Sequence, residues 1–275
     1  MNTSVIVPTY NEVNSITACL QSLTVQTKSV EIIVVDDGST DDTTKKVKLF
    51  KKVQLLTQKH LGPAAARNFG AQKATGDILV FVDADMTFAP NFIDMLTDPI
   101  EKSKSPGTFT KEEYVANWNN VWARCWNYNQ GLYSNRRIAE NYPEIAPVFR
   151  AILKKEFDQV GGFTPGVGWT DDWSLSRKLL YQATATHARC YHTNPASLSE
   201  VFKQARWIGK NEFLSGNFML ILINLIRFSW PLALITGIWK SLITKTPQFL
   251  IFKLVYNSSI SLSLETCFFN KDRNK

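Results

Sequence analysis

Six aspartates stand where side chains can do chemistry. Asp36 and Asp37 close an apolar run at 31–35, Asp83 and Asp85 close a second at 77–82, and Asp171 and Asp172 follow Gly161, Gly162, Gly166 and Gly168 at the head of a helical segment. Two carboxylates one residue apart at a strand end can ligate a hard cation such as Mg²⁺ or Mn²⁺ while also meeting hydroxyls. Asp and Gly also populate ordinary turns, and an acid at a helix start is a common N-cap, so each pair taken singly fits a purely structural role.

The elements that must position these acids follow from the apolar patterning. Short β-branched runs at 4–8, 31–35, 53–57 and 77–82 alternate with helical spacing at 11–26 and 64–74, and a further helix is predicted over 90–100. Alternation of this kind predicts an α/β fold with a mostly parallel sheet covered by helices, whose strand carboxyl ends face one crevice. The stretch to residue 141 is irregular and aromatic. Trp118, Trp122 and Trp126 lie four apart, which favours core packing over stacking on sugar rings. A helix is predicted at 172–181 and a basic, aromatic junction at 203–210. After that, 218–239 is nearly continuous apolar sequence and 249–269 a weaker, Ser-rich run.

With 275 residues, 44% apolar and 20% charged, the chain has globular composition. Its net charge of +7 is concentrated late: ten Lys and Arg against four acids follow Ser199. These cations are interleaved with apolar runs and no nucleic-acid motif accompanies them, so an anionic membrane surface suits them better than nucleic acid. Cys19, Cys125, Cys190 and Cys267 are dispersed, without CxxC spacing, which argues against a zinc site or a disulfide scaffold and for reduced thiols in the cytoplasm. The N-terminus runs directly into a strand, leaving no visible secretory signal. The run 218–239 is long enough to span a bilayer core of about 30 Å. Arg227 and Pro231 interrupt it, so interfacial helices or a soluble helical subdomain compete with a span; Trp230, Trp239, Lys240 and Lys245 favour membrane association.

The words around the aspartates add to this. VIVPTYNE at 5–12, VVDDGSTD at 34–41, GPAAARNFGAQKATGD at 62–77 and FVDAD at 81–85 resemble the inverting glycosyltransferases of family 2, with the GT-A fold. The resemblance continues through VGGF at 160–163, TDDWSLSRKL at 170–179 and QARW at 204–207, about three quarters of the chain. It implies a nucleotide-sugar pocket in which Thr9, Tyr10, Glu12 and Asp37, with Asp36 beside them, meet base and ribose, Arg67 lies near the diphosphate, and Asp83 meets the ribose. Asp85 would hold the divalent cation, Mn²⁺ or Mg²⁺. His192 would complete the metal shell, with His187 as its rival and a packed or surface histidine as the alternative for either.

By the same resemblance Asp172 is the general base, while Asp171 replaces the family's Glu, and Gln204, Arg206 and Trp207 contact acceptor or diphosphate. The expected enzyme moves a sugar, from a UDP-sugar above all, to a glycan or lipid-linked acceptor at the cytoplasmic membrane face. A polyprenyl-phosphate acceptor and a catalytically silent scaffold are the alternatives. The domains expected are a catalytic one at 1–212 and an apolar, membrane-associated helical appendage at 213–275.

Overall fold

The computed structural model describes residues 1–166, 171–212 and 218–269, the side chains of 171–172, 211–212, 218, 220–221 and 265–269 excepted. In chain order the elements are β1 (Thr3–Thr9), α1 (Ile16–Thr24), β2 (Glu31–Asp36), α2 (Thr43–Val47), β3 (Val53–Thr57), α3 (Pro63–Lys73), β4 (Ile78–Phe81), β5 (Met86–Phe88), α4 (Phe92–Glu101), β6 (Gly107–Thr110) and β7 (Glu113–Val115). They continue with α5 (Val121–Asn129), β8 (Ile145–Ala146), β9 (Ala151–Leu153), α6 (Lys154–Gln159), α7 (Asp171–Leu179), β10 (Ala183–Thr186), β11 (Cys190–His192), α8 (Leu198–Glu212), α9 (Phe218–Arg227), α10 (Trp230–Thr244) and α11 (Gln248–Phe269). Two compact units divide them: Met1–Tyr114 with Ile138–His192, and Val115–Arg137 with Thr193–Lys275.

The first unit holds an eight-stranded sheet in the order β3-β2-β1-β4-β9-β6-β10-β8 and a three-stranded sheet β5-β11-β7. From β3 to β4 the strands run parallel, as the β-α alternation predicts. Beyond β4 the sheet is mixed, because β9 pairs antiparallel with both β4 and β6. Side chains alternate along a strand, and β1 is buried on both faces. Val5 and Val7 join the core with Leu20 of α1 and Phe92 of α4, while Ile6 points the other way, into the core with Ala66 of α3 and Phe157 of α6. Small residues let α3 sit close on its face: a Cβ on Gly70 would lie 2.6 Å from Ile6 Cγ2. That approach fixes where the rest of α3 points.

In the second unit, α5, α8 and α11 share a core of Trp126, Val201, Phe249 and Phe252, and Ala205 of α8 joins Ile260 and Leu264 of α11. Trp126 is thus a packing residue. The compact units group α8 with the tail, against which Ala205 of its apolar stripe is buried. The apolar run 218–239 is two helices rather than one. Ser229 takes an extended conformation as the N-cap, and Pro231, which has no N–H to donate, sits in the first turn of α10. No helix among the described residues is long and apolar enough to cross a membrane.

Lys253 of α11 is half-buried in this unit, with Nζ donating to Asn129 Oδ1 at 2.8 Å and lying over the Tyr256 ring. Burial, reinforced by Lys240 and Arg227, pushes its ammonium down to about 8. Between that value and the ordinary 10.4 or so the unfolded chain binds more protons, so this group makes stability rise with pH over that window. Lys253→Met should therefore be more stable than the parent at pH 7, by roughly 1–3 kcal/mol, with the difference shrinking towards pH 10. Urea titrations of both proteins across pH 7–10 check this, and a pH-independent difference would contradict it.

Candidate active site

Two strand ends and one helix start supply the first half of the site. Asp37 follows β2, and its carboxylate is fully engaged: Oδ1 accepts from Gln58 Nε2 at 2.6 Å and Leu61 N at 2.9 Å, and Oδ2 from Gly62 N at 2.9 Å. These bonds pin the loop that leads into α3. His60, on that loop, approaches Asp37 Oδ2 at 2.9 Å and stacks on Tyr10, ring centroids 4.1 Å apart. Tyr10 is 42% exposed, so the pair offers a flat aromatic face to solvent beside the ends of β1 and β2. Thr9 and Asp36, paired in register at those ends, are buried, and Asp36 Oδ2 accepts from Ser39 N.

The residues of α3 each have a mechanical task. Asn68 holds Phe163 at both ends of its peptide, Oδ1 accepting from Phe163 N and Nδ2 donating to Phe163 O, each at 2.9 Å. The Phe163 ring packs edge-on against Phe81 and lies under the Arg67 guanidinium. Arg67, thus backed, donates from Nη2 to Asp83 Oδ1 at 2.9 Å.

From Asp83 a chain of alternating charge runs across the unit. Arg150 Nη1 donates to Asp83 Oδ2 at 3.0 Å, and Arg150 Nη2 reaches Glu113 Oε2 at 3.5 Å. Glu113 Oε1 lies 3.1 Å from His192 Nδ1, and His192 Nε2 lies 2.9 Å from Asp85 Oδ2. Backbone pairing sets the spacing. The Arg150 carbonyl accepts from Phe81 N and its N–H donates to Thr108 O, while His192 pairs with Met86, next to Asp85, across β11 and β5. Burial alone would raise the Asp83 carboxyl, but Arg150, then Arg67, then His192 reverse this and hold it far below the usual carboxylate range. Glu12 faces the opposite balance. Burial, against a hydrogen bond from Ser15 and with Asp85 and Asp83 adding to it, pushes its carboxyl up to about 7.

The glycosyl transferase family 2 profile matches residues 4–161, more than half of the chain and all of its first four chemistry-bearing words. The chain belongs to that family. Glycosyltransferase GlyA of Streptococcus pneumoniae is 38% identical to it over 230 residues, which are 74% of this chain and 32% of GlyA. Several curated relatives are far longer than this chain, which spans about a sixth of some and about a third of others. Among solved structures, mannosyltransferase PcManGT from Pyrobaculum calidifontis, in complex with GDP-Man and Mn²⁺, superposes with a TM-score of 0.58 at 21% identity, covering 94% of this chain and 86% of that one. TarS 1–349 of S. aureus, in complex with UDP-GlcNAc, gives 0.56 at 18% identity, covering 98% and 91%. The GT-A fold expected from the sequence is the fold observed.

The first unit holds Thr9, Tyr10, Glu12, Asp36, Asp37, Arg67, Asp83, Asp85 and His192, with Asp83 and Asp85 linked through Arg150, Glu113 and His192. His187, the rival histidine, is 78% exposed and lies 3.9 Å from Glu112, away from Asp85. Asp171 and Asp172 begin α7, and their side chains lie outside the described residues. Gln204, Arg206 and Trp207 belong to the second unit, on α8, with Gln204 and Trp207 exposed. Sequence reading missed His60, Glu113 and Arg150. Arg150 did leave a trace, as one charge set between Phe149 and the apolar Ala151 and Ile152.

The donor chemistry at Asp85 and His192 fits a divalent cation: a carboxylate oxygen beside an imidazole nitrogen whose other nitrogen faces a carboxylate. No group of three or more His, Cys, Asp or Glu able to hold a metal occurs among the described residues. Cys19, Cys125 and Cys190 are buried.

Proposed function

We propose that this chain is a divalent-cation-dependent, inverting glycosyltransferase that moves a sugar from a nucleotide sugar, a UDP-sugar in the first instance, to a hydroxyl of a glycan or lipid-linked acceptor. The observation that carries the reading is the Asp85–His192–Glu113 arrangement at the end of the small sheet, beside an aromatic face built from Tyr10 and His60. The ligands bound in TarS and PcManGT support a nucleotide-sugar donor.

In this reading Tyr10 and His60 stack on the base. Asp37 keeps the loop carrying His60 in place, and the Arg67 and Arg150 pair fixes Asp83 at the strand end with its charge intact at neutral pH. Glu113 holds the His192 Nδ1 proton, which leaves the Nε2 lone pair facing the same space as Asp85 Oδ2. Asp85 and His192 would hold a Mn²⁺ or Mg²⁺, which when bound would supply positive charge to offset the negative charge growing on the leaving diphosphate. Asp172 takes the proton of the acceptor hydroxyl as that oxygen attacks the anomeric carbon opposite the departing diphosphate, so configuration inverts.

The test is release of nucleoside diphosphate from UDP- and GDP-sugars with Mn²⁺, with Mg²⁺ and with EDTA. Turnover of at least one donor, abolished by EDTA, is expected. Asp85→Ala should weaken Mn²⁺ and donor binding together, each by about 10–100-fold or more, as loss of metal-site groups commonly does. Absence of metal-dependent turnover across donors and acceptors overturns the proposal.

A further inference from the structure

Helix α10 is built inside out for a water-soluble chain. Its buried positions are Ala233 and Gly237, one turn apart and as small as side chains come. A Cβ on Gly237 would lie 2.8 Å from Leu250 Cδ1, so this stripe sits tightly on α11. The large apolar residues face outward: Leu234, Ile235, Ile238, Trp239 and Leu242 are 42–73% exposed and, at spacings of one, three and four, share one helical face. Leu222, Ile223 and Ile226 of α9 are likewise 43–59% exposed. Burial of apolar surface is the main force in folding, and contiguous exposed apolar patches mark surfaces that meet something other than water.

Charge decides what that is. From residue 213 to 264 the sequence has no Asp or Glu, and its ionised side chains are Arg227, Lys240, Lys245 and Lys253. Arg227 and Lys245 are exposed at the ends of α9 and α10, and the exposed indoles of Trp230 and Trp239 sit on the same helix as the outward Leu and Ile residues. Two copies meeting through this face would bring like charges together, whereas an anionic lipid surface neutralises them. Apolar residues flanked by Trp and cations are the composition of helices that lie in the headgroup region. With 10 and 15 residues, α9 and α10 are too short to cross a bilayer.

We infer that α9 and α10 form a docking face that lies in the interface of an anionic membrane, with Leu234, Ile235, Ile238, Trp239 and Leu242 inserted among the acyl chains. This inference is independent of the proposed transfer reaction, because a chain without turnover would still bind lipid.

The experiment is flotation of the full chain with phosphatidylglycerol-containing vesicles and with pure phosphatidylcholine vesicles, at low and high salt. Co-flotation with the anionic vesicles is expected, weaker with phosphatidylcholine and reduced by salt. Combined Ile235→Ser, Ile238→Ser and Leu242→Ser should lower the partition coefficient by about tenfold or more while the circular dichroism melt stays cooperative. As a readout that needs no change to this face's apolar residues, brominated lipids should quench the fluorescence of the unaltered chain, and Trp230→Phe with Trp239→Phe should remove most of that quenching. Failure to float with anionic vesicles, equal binding by the triple variant, or absence of quenching overturns the inference. So does a concentration-dependent dimer that the triple variant abolishes in a chain that ignores vesicles, which would give the face to a second copy.

Discussion

Arg150→Met should cost the fold about 2–3 kcal/mol and loosen cation binding, although Arg150 is not itself a ligand. The guanidinium stands between two carboxylates, 3.0 Å from Asp83 and 3.5 Å from Glu113, and its side chain is 18% exposed. Removing it leaves Glu113, which is 7% exposed, facing Asp83 without the cation between them. Loss of one partner of a buried ion pair typically costs about 3–5 kcal/mol. The lower figure here allows for the solvent that reaches Asp83 and for Arg67, which still holds its other oxygen. Arg150→Lys keeps a charge but cannot fork to both acids, so it should fall between the two. Asp83→Asn in the Arg150→Met background should recover part of the loss, giving a non-additive cycle. Urea unfolding reads the stability and Mn²⁺ titration reads the site. An Arg150→Met protein within about 0.5 kcal/mol of the parent, the size of an ordinary surface change, would show that the chain of charges is not a structural unit.

What the sequence made legible was whatever short-range pattern encodes. The parallel strands β1, β2 and β4 are runs of largely apolar residues because both faces of that part of the sheet are buried, while the edge strand β3 is only partly covered, and α1 and α3 carry the helical period between them. Asp37, Asp83 and Asp85 could be placed at strand ends for the same reason. The strands past β4 have two to four residues, too few to show a period, so the mixed half of the sheet and the strand carrying Glu113 were not visible. Glu113 and His192 are 79 residues apart, and Arg150 and Asp83 are 67 apart. Nothing local in the chain announces such pairings. The division into compact units is hidden from the sequence on similar grounds. Residues 115–137 pack with the tail through Trp126, Phe249 and Phe252, a contact across more than a hundred positions that continuity along the chain conceals. His60 was missed because its role depends on the loop that Asp37 pins.

Asp172→Asn should lower turnover by about 10²–10⁴-fold, the usual contribution of a general base, while leaving donor and Mn²⁺ affinity within about twofold. The asparagine keeps the size and most of the hydrogen-bonding capacity of the carboxylate but cannot take up a proton. Asp172 stands at the N-terminus of α7. The contrast with Asp85→Ala is the informative part. The Asp85 variant should lose cation and donor binding together, whereas the Asp172 variant should bind both and stall at chemistry, lowering kcat with KM for the donor little changed. Equal loss of donor binding in the two variants would contradict the separate roles. An Asp172→Asn enzyme with undiminished turnover would point to an acceptor that needs no deprotonation, such as a lipid phosphate, whose oxygen is already anionic when it attacks.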